Sequence, residues 1–223
     1  RGINNLISNE GIVVIEFHYS KKILNELHYD SIYHEHIFYF SAFTVIELFK
    51  RYNMHAFDIS ESPISGGALI IYFSKKKKII SKKLKFFLNQ EIKEKINSIN
   101  SWKVFGKKCL IHSKKLKEKI IRLSKEKCPL VGYGASARSS TLLNFMKIDN
   151  QQISKIIDFN KMKQGTFTSG SNIPIVSLKN VEKQSNVIIL AWNFLDEIAR
   201  KLKINNFKGK ILVPLPNKSY FKK

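Results

Sequence analysis

The pattern of apolar and polar residues predicts an α/β order from the start of the chain. Residues 12–17 form an apolar run typical of a buried strand, and a polar helix is expected from Ser20 to Leu27. An amphipathic helix follows at about residues 41–53. The runs HAFDIS and ALIIYFS then predict two strands, which the glycine- and proline-containing turn ESPISGG connects. The first residues, which do not include a Met, resemble the end of an α/β domain, so we expect a C-terminal fragment of a longer protein.

The middle of the chain predicts one or two helices with a lysine-coated surface. Residues 75–127 contain 19 Lys or Arg and 4 Asp or Glu. Six apolar residues recur there at helical spacing and are expected to face a core; they are Leu84, Phe87, Leu88, Ile92, Ile96 and Ile99.

The last part alternates strands and helices, as parallel α/β domains do. The run PLVGYGASARSSTLLNFMK predicts a strand, a glycine turn and a helix, and ISKIIDFN predicts a strand that ends at Asp158. NVIILAWN, FLDEIARKLK and GKILVPLPN predict a strand, a helix and a last strand. Together they predict half of a Rossmann-like sheet.

The net charge of +22, from 39 basic and 17 acidic residues, first suggests a nucleic-acid partner. However, only 5 of the basic residues are Arg, and the aromatic residues are not interleaved with the lysines. We therefore expect a solvated lysine face and no nucleic acid.

Other partners and compartments are limited by composition. No apolar run approaches the roughly 18 residues of a membrane span, so none is expected. Cys109 and Cys128 have no partner at metal or disulfide-framework spacing. The reducing cytoplasm is the expected location, and the sequence does not define an oligomeric state.

The glycine turn of the last part leaves two interpretations open. Gly132, Gly134 and Ala137 match G-x-G-x-x-G/A between a strand and a helix, and Asp158 ends the next strand. This pattern is typical of dinucleotide binding, in which the acid holds a ribose hydroxyl. A tight turn without a ligand explains the same residues equally well.

The stretch YDSIYHEHIFYF carries the most distinctive cluster of titratable side chains. A metal site at His34 and His36 is disfavoured because no third ligand lies nearby. An aromatic core formed by Tyr29, Tyr33, Phe38, Tyr39 and Phe40 and a catalytic group formed by Tyr33, Glu35 and His36 remain as alternatives of similar weight. The second would suit removal of a proton next to a carbonyl.

Five motifs in register resemble the S-adenosylmethionine-dependent sugar C-methyltransferases, which methylate nucleotide-linked 4-keto-deoxysugars at C3. They are YDSIYHEHIFYFS, SPISGGALIIY, VGYGASARSSTLLNF, IIDFNKMKQGTFTSGSNIPIV and VIILAWNFLDEIARKLK with GKILVPLPN. The resemblance covers essentially the whole chain.

The resemblance implies the end of a methyltransferase Rossmann domain at residues 1–80, a helical connector at 81–127 and a C-terminal Rossmann-like domain at 128–223. S-Adenosylmethionine would be bound mainly by residues upstream of this sequence. Zinc would be bound only by an N-terminal segment that is also upstream. The chain alone is then expected to be inactive.

The resemblance also implies roles for individual residues. His36 would be the base that removes the C3 proton, Glu35 would orient it or contact the sugar, and Tyr33 would line the sugar pocket. His34 would be structural, and the proton-transfer step would need no metal. The enolate formed next to the C4 ketone would then attack the sulfonium methyl group.

Further residues would bind the nucleotide sugar. At Ser65–Ile70 the sequence departs from the His-Gly-Gly-Ser-x-Arg type of run usual in the family, which leaves the sugar and the C3 position open. Asp158 and Trp192 lie at predicted strand ends with these candidates. The expected substrate-binding residues are Gly66, Gly67, Gly132, Gly134, Ser136, Lys163, Gln164 and Asn193.

Two other functions compete with this one. The first is an NAD- or nucleotide-binding Rossmann module of an oxidoreductase, and it rests on the glycine turn and Asp158. The second is a non-enzymatic basic scaffold that associates with anionic polymers.

Overall fold

A computed structural model describes residues 1–217 and 219–222, which form seven α-helices and nine β-strands. The helices are α1 (Gly2–Leu6), α2 (Ser20–Glu26), α3 (Ala42–Lys50), α4 (Lys82–Lys93), α5 (Ile99–Ser124), α6 (Ala137–Met146) and α7 (Leu195–Ile204). The strands are β1 (Ile12–His18), β2 (His55–Ser62), β3 (Ala68–Ser74), β4 (Leu130–Tyr133), β5 (Lys155–Ile157), β6 (Ile175–Val176), β7 (Asn186–Ile189), β8 (Ile211–Val213) and β9 (Tyr220–Lys222).

The chain divides into two units, each built from two separate stretches. The first unit consists of Arg1–Asn25 and Ile37–Phe105, and the second of Glu26–His36 and Gly106–Lys223. The last of the three points at which the chain passes from one unit to the other, between Phe105 and Gly106, lies inside α5. The domain limits expected at residues 80 and 127 stay a prediction, since a unit of this kind is defined by packing and not by homology.

The first unit contains a three-stranded antiparallel sheet in the order β1-β3-β2. The predicted strand–turn–strand pattern is confirmed, because β2 and β3 pair on either side of the glycine turn. The central strand β3 is largely buried, which explains why its sequence ALIIYFS is continuously apolar. Helices α3 and α4 pack with this sheet around a core that includes Val45, Phe73 and Leu84.

Helix α3 begins at a capping box, in which the Ser41 hydroxyl accepts from the Thr44 amide and the Thr44 hydroxyl accepts from the Ser41 amide. The buried Glu91 carboxylate of α4 accepts from the Ala42 and Phe43 amides at 2.7 and 3.0 Å. A carboxylate at this position accepts from amide groups that have no partner within the helix. It is also stabilised by the positive end of the α3 dipole.

The lysine-rich segment forms α4 and α5, but its apolar face differs from the prediction. Leu84 and Ile96 are buried, and Phe87 and Leu88 pack against the core. Ile92 and Ile99 are 75% and 70% exposed, so their predicted core positions are wrong. For Ile92 the reason is Glu91: the Glu91 carboxylate takes the buried position, and Ile92 is turned about 100° further round the helix. Ile99 is the first residue of α5.

The second unit contains a six-stranded sheet in the order β6-β5-β4-β7-β8-β9. All neighbouring pairs are parallel except β8 and β9. Every residue of β4 and β7 is buried, as expected for central strands covered on both faces. The parallel-rich sheet agrees with the predicted Rossmann-like fold, although the sequence did not indicate β6 or β9. None of the described helices is long and apolar enough to cross a membrane.

Candidate active site

The stretch Glu26–His36 belongs to the second unit, although it precedes the rest of that unit by about 70 residues. Its middle is a 3₁₀ turn at Tyr29–Ser31, whose three residues are buried. This turn packs against α6, which begins just after the glycine turn. The tertiary fold therefore places the titratable stretch in the same unit as the C-terminal sheet.

Asp30 anchors this turn through three hydrogen bonds. Arg138 of α6 donates from Nε to Oδ2 at 3.0 Å and from Nη2 to Oδ1 at 2.9 Å. Trp192, which follows β7, donates from Nε1 to Oδ2 at 2.8 Å. The Asp30 side chain is 1% exposed, so the bidentate ion pair is shielded from water.

Trp192 also provides an aromatic surface for two neighbours. The Arg138 guanidinium lies over its ring at 4.6 Å from the centroid, and the His28 ring lies at 4.7 Å. The carboxylate binds a guanidinium at its edge, through N–H groups that lie in the guanidinium plane. The flat face of the guanidinium stays available to stack on an aromatic ring. Trp192 thus has both a packing contact and a hydrogen-bonding contact at the strand end where it was predicted.

Tyr29 fixes the other side of the same turn. Its hydroxyl is 2.9 Å from Nδ1 of the buried His112, and its ring packs against Phe145. Burial raises the pKa of Tyr29, and the charge of Asp30 adds to this effect, so the phenol is neutral and can donate to the imidazole.

The aromatic residues of the stretch do not form the single core cluster that one interpretation predicted. Tyr29 and Tyr33 belong to the second unit, whereas Phe38 and Phe40 belong to the first. In the first unit Phe40 packs on Phe17 and stacks with Phe38, which is itself exposed.

Residues Tyr33–His36 form a turn, closed by a hydrogen bond from the His36 amide to the Tyr33 carbonyl at 2.9 Å. The turn folds the two end residues onto each other: the Tyr33 hydroxyl is 3.0 Å from His36 Nε2, and the ring centroids are 4.3 Å apart.

The hydrogen bonds of His36 define which nitrogen is basic. Nδ1 lies 3.1 Å from the carbonyl oxygen of Ser31, which can only accept, so Nδ1 carries the hydrogen. In the neutral imidazole Nε2 then has the lone pair and accepts from the Tyr33 hydroxyl. Because Ser31 belongs to the anchored turn, the orientation of the imidazole depends on the contacts of Asp30 and Tyr29.

Burial raises the pKa of Tyr33, and the nearby Glu35 charge raises it further, while Arg138 has the opposite effect. Tyr33 is therefore protonated at neutral pH and is a hydrogen-bond donor. Glu35 and His34 are both exposed, at the two central positions of the turn. The structure thus places the Tyr33 hydroxyl against the His36 imidazole. Glu35 influences Tyr33 through its negative charge, which raises the pKa of the Tyr33 hydroxyl.

The predicted substrate residues Gly66 and Gly67 lie in the first unit, in the turn between β2 and β3. Both have positive φ angles, +85° and +132°, which glycine adopts without a side-chain penalty. A Cβ atom on Gly67 would also meet the Lys22 side chain at 2.9 Å. The two glycines line a cavity of about 410 Å³ with Tyr19, Lys22, Glu61, Ser62, Pro63 and Ala68.

Gly132 and Gly134 are required by packing within the second unit. A Cβ atom on Gly134 would lie 2.5 Å from the Ala191 Cβ, and one on Gly132 would lie 2.8 Å from the Leu190 side chain. The Asp158 carboxylate accepts from the Ala135 and Asn160 amides, both at 2.8 Å. The glycines and the acid therefore hold the turn against β5 and β7.

Lys163 and Gln164 lie at the same turn. Lys163 Nζ donates to the Ala135 carbonyl at 2.6 Å, and Gln164 Nε2 donates to the Asp158 carbonyl at 2.9 Å. Ser136 caps α6 through a reciprocal pair of hydrogen bonds with Ser139. These predicted residues are thus brought together, and each has a hydrogen bond within the loop or the helix cap.

A cavity of about 330 Å³ opens at the carboxyl ends of β4, β5 and β7, where parallel sheets usually bind ligands. Among the predicted residues, Gly134, Ser136 and Asp158 line it, and Asn193 lies nearby in sequence but is exposed and does not. The residues that the sequence analysis missed are Tyr133, Phe159, Ala191, Phe194, Glu197 and Ile198. Tyr133 directly precedes the predicted Gly134, and Phe159 directly follows Asp158. Their positions next to these residues at strand ends could have identified them from the sequence.

Within residues 1–217 and 219–222, no group of three or more His, Cys, Asp or Glu side chains could hold a metal ion. Cys109 is buried, Cys128 is partly exposed, and both are free.

Comparison with known proteins gives two matches. Residues 63–216 match the family described as the C-methyltransferase C-terminal domain. The C-methyltransferase NovU of Streptomyces niveus is 25% identical over 225 residues, which cover 96% of this chain and 52% of that protein. The chain thus spans about half the length of the curated relative that it matches.

Proposed function

Because the chain belongs to the C-methyltransferase C-terminal domain family, we propose that it contributes the proton-abstracting residues of a sugar C-methyltransferase. The proposed substrate is a nucleotide-linked 4-keto-deoxysugar, methylated at C3. The family match and the relative's name support the reaction class, and the five motifs of the sequence support the sugar.

The observation that carries the proposal is the position of His36. A general base needs a lone pair directed at the proton and a neutral form near physiological pH. The Ser31 carbonyl holds the hydrogen on Nδ1, which directs the Nε2 lone pair to the other side of the ring. The anchored turn at Asp30 limits the rotation of this ring.

In the proposed step the substrate replaces the Tyr33 hydroxyl at His36 Nε2. The C3–H bond breaks, Nε2 takes the proton, and the electron pair forms a C3–C4 double bond with negative charge on the C4 oxygen. The displaced Tyr33 hydroxyl, kept protonated by its raised pKa, donates to this oxygen. The negative charge of Glu35 opposes the ionisation of the Tyr33 hydroxyl.

S-Adenosylmethionine, when bound, would supply a methyl group activated as a sulfonium for attack by the enolate carbon. The glycine turn of the second unit does not fit an adenosyl ligand well, because its glycines pack on Ala191 and Leu190 and its acid binds the Ala135 amide. We therefore assign donor binding to residues outside this chain and derive no further step from it.

The same contacts weigh against the alternative of a dinucleotide-binding oxidoreductase module. Asp158, the residue expected to hold a ribose, is oriented toward the turn by the Ala135 and Asn160 amides. The family match also favours methyl transfer over hydride transfer.

The proton-abstraction step can be tested separately from methyl transfer. The full-length protein that contains this chain is incubated with nucleotide-linked 4-keto-deoxysugars in deuterated water without methyl donor, and deuterium at C3 is followed by mass spectrometry. His36→Asn should slow the exchange about 10²-fold or more. His34→Asn is the matched control, because His34 is an exposed histidine of the same turn, and it should exchange at the wild-type rate.

An exchange rate for His36→Asn within a few-fold of wild type would show that another group is the base. Equal losses in both variants would indicate a disturbed turn instead of a lost base. Methyl transfer with labelled S-adenosylmethionine on the same panel then identifies the sugar.

A further inference from the structure

The part of α5 that belongs to the second unit exposes an isoleucine among four lysines. Ile111 is 58% exposed, and the residues three and four positions before and after it are all exposed lysines. Residues at these spacings are neighbours on a helix surface, so the lysines lie on all sides of Ile111. Leu110 is 62% exposed and enlarges the apolar spot. Together with these two residues, the α5 lysine face consists of Lys107, Lys108, Lys114 and Lys115.

The positive charge of the α5 lysine face is not balanced by acidic side chains. Exposed lysines elsewhere, such as Lys50 and Lys201, pair with a glutamate one turn away on the same helix. Within the described part of the chain, none of the four lysines of the face has an ion pair or a side-chain hydrogen bond. Helix α5 contains eight Lys or Arg and a single acid, Glu118. The face therefore attracts an anionic partner.

The composition of the face favours a lipid surface over a protein surface. Protein–protein interfaces are depleted of lysine and enriched in aromatic residues and arginine, and the α5 lysine face has neither an aromatic residue nor an arginine. The face is also the outer surface of one helix, which is convex. Such a surface suits a flat and extended partner better than it suits a peptide, which usually binds in a groove.

The two kinds of side chain match the two layers of a bilayer surface. Isoleucine and leucine side chains are stabilised at the boundary between the headgroups and the acyl chains. A lysine stem is itself apolar and long enough to lie along this layer while its ammonium group stays among the headgroup phosphates. Basic clusters of four or more residues on a helix are typical of binding to anionic lipids.

We propose that the α5 lysine face associates reversibly with the surface of an anionic lipid bilayer. The helix lies in the plane of the membrane, Leu110 and Ile111 enter the headgroup layer, and the four lysines contact lipid phosphates. In the absence of lipid the same face is solvated. This inference goes beyond the proposed function, because it involves neither the sugar nor the methyl donor. Each lysine is expected to strengthen binding about fivefold, so the four together contribute several hundredfold.

The association is measured with the full-length protein that contains this chain. The protein is sedimented with vesicles of phosphatidylserine and phosphatidylcholine, or with vesicles of phosphatidylcholine alone, at about 0.1 M salt. It should bind the anionic vesicles and not the neutral ones. Binding should weaken as salt is added, because screening shortens the range of attraction from about 10 Å at 0.1 M to about 3 Å at 1 M.

Two variants of equal net charge separate the face from the overall charge of the protein. Replacement of all four lysines of the face by Gln should weaken binding to anionic vesicles at least about 10²-fold. The matched control replaces four exposed lysines elsewhere in the second unit by Gln, and it should stay within about threefold of wild type. Melting temperatures verify that both variants are folded. The control lysines are Lys161, Lys179, Lys203 and Lys208.

A second pair of variants tests the apolar centre of the face. Ile111→Ser should weaken binding to anionic vesicles about fivefold, because it removes the side chain that enters the headgroup layer and leaves every charge in place. Ile204→Ser is the control: Ile204 is the last residue of α7 and is 71% exposed, and its loss should leave binding unchanged.

The inference is wrong if the protein does not sediment with anionic vesicles, or if it binds neutral vesicles equally well. Equal losses in the two quadruple variants would assign the binding to net charge and not to this face. Binding of poly-glutamate through the face, without binding of vesicles, would indicate an acidic protein partner instead. None of these results depends on deuterium exchange or methyl transfer, so the proposed function stands or falls separately.

Discussion

His112 shows how a single buried side chain can couple folding to pH. It is 7% exposed in α5, and burial lowers its pKa below the usual value near 6.5. Its Nδ1 pairs with the Tyr29 hydroxyl, which is neutral and donates, so the folded protein uses the neutral imidazole. The unfolded chain has no such restriction and takes up a proton as the pH falls below about 6.5.

The free energy of unfolding should therefore fall on acidification between pH 7.5 and pH 5.5. The unfolded state binds more protons in this range, so stability rises with pH, by up to about 1.4 kcal/mol per unit for one group. Urea unfolding at the two pH values measures the difference. His112→Gln should flatten the dependence, whereas His34→Asn should keep it; an unchanged slope in His112→Gln would assign the effect to other groups.

At the residue scale, local chemistry was easier to predict than long-range pairing. Tyr33 and His36 lie three positions apart, so a single turn is enough to bring their side chains together. Asp30 and Trp192 are 162 positions apart, and nothing in either local sequence indicates that the indole will donate to the carboxylate. Such a pair depends on the order of strands in the sheet, which places the end of β7 beside α6.

At the scale of elements, the contact that positions the candidate base is the docking of the 3₁₀ turn Tyr29–Ser31 on α6. The ion pair between Asp30 and Arg138 is almost fully shielded, with side-chain exposures of 1% and 13%. Removal of one partner from a buried pair leaves an uncompensated charge and typically costs about 3–5 kcal/mol.

Asp30→Asn should therefore destabilise the protein by about 3 kcal/mol and increase amide hydrogen exchange in residues 29–36. Urea unfolding measures the first effect, and exchange followed by mass spectrometry of the corresponding peptides measures the second. Asp196→Asn is the control, since the Asp196 side chain is 90% exposed, and neither quantity should change. Wild-type protection of the turn in Asp30→Asn would mean that Tyr29 alone anchors it.

The elements that the sequence analysis missed or misplaced have physical explanations. Strand β6 has two residues and β9 has three, too few to show a period of alternation. In α4 the apolar spacing suggested Ile92 as a core residue, but the need to cap α3 placed Glu91 there instead. The longer and more strongly patterned elements, such as β3 and α7, were predicted nearly to their limits.

At the scale of the whole molecule, the net charge of +22 has a testable meaning. The lysines of α4 and α5 are spread along exposed helix surface, and we expect a solvated coat instead of a polymer-binding groove. Affinity for random duplex DNA should be negligible at about 0.15 M salt, with a Kd weaker than about 10⁻⁴ M. Fluorescence anisotropy with a labelled duplex measures it.

The same titration at low salt provides the control, because any cation-rich protein should then bind and lose the DNA as salt is added. Tight binding at physiological salt with a steep salt dependence would contradict the expectation. It would favour the basic-scaffold function over a solvated face.

The second unit is assembled from two stretches of chain, and this has a consequence for biosynthesis. Asp30 leaves the ribosome well before Trp192, its partner 162 residues later. At about 5–20 residues per second, the interval is roughly eight to thirty seconds. Until Arg138 and then Trp192 have been synthesised, the turn bearing His36 lacks its side-chain anchors, although the three strands of the first unit's sheet are complete once Ser74 has been made. The candidate base is therefore among the last parts of the nascent chain to gain its final geometry.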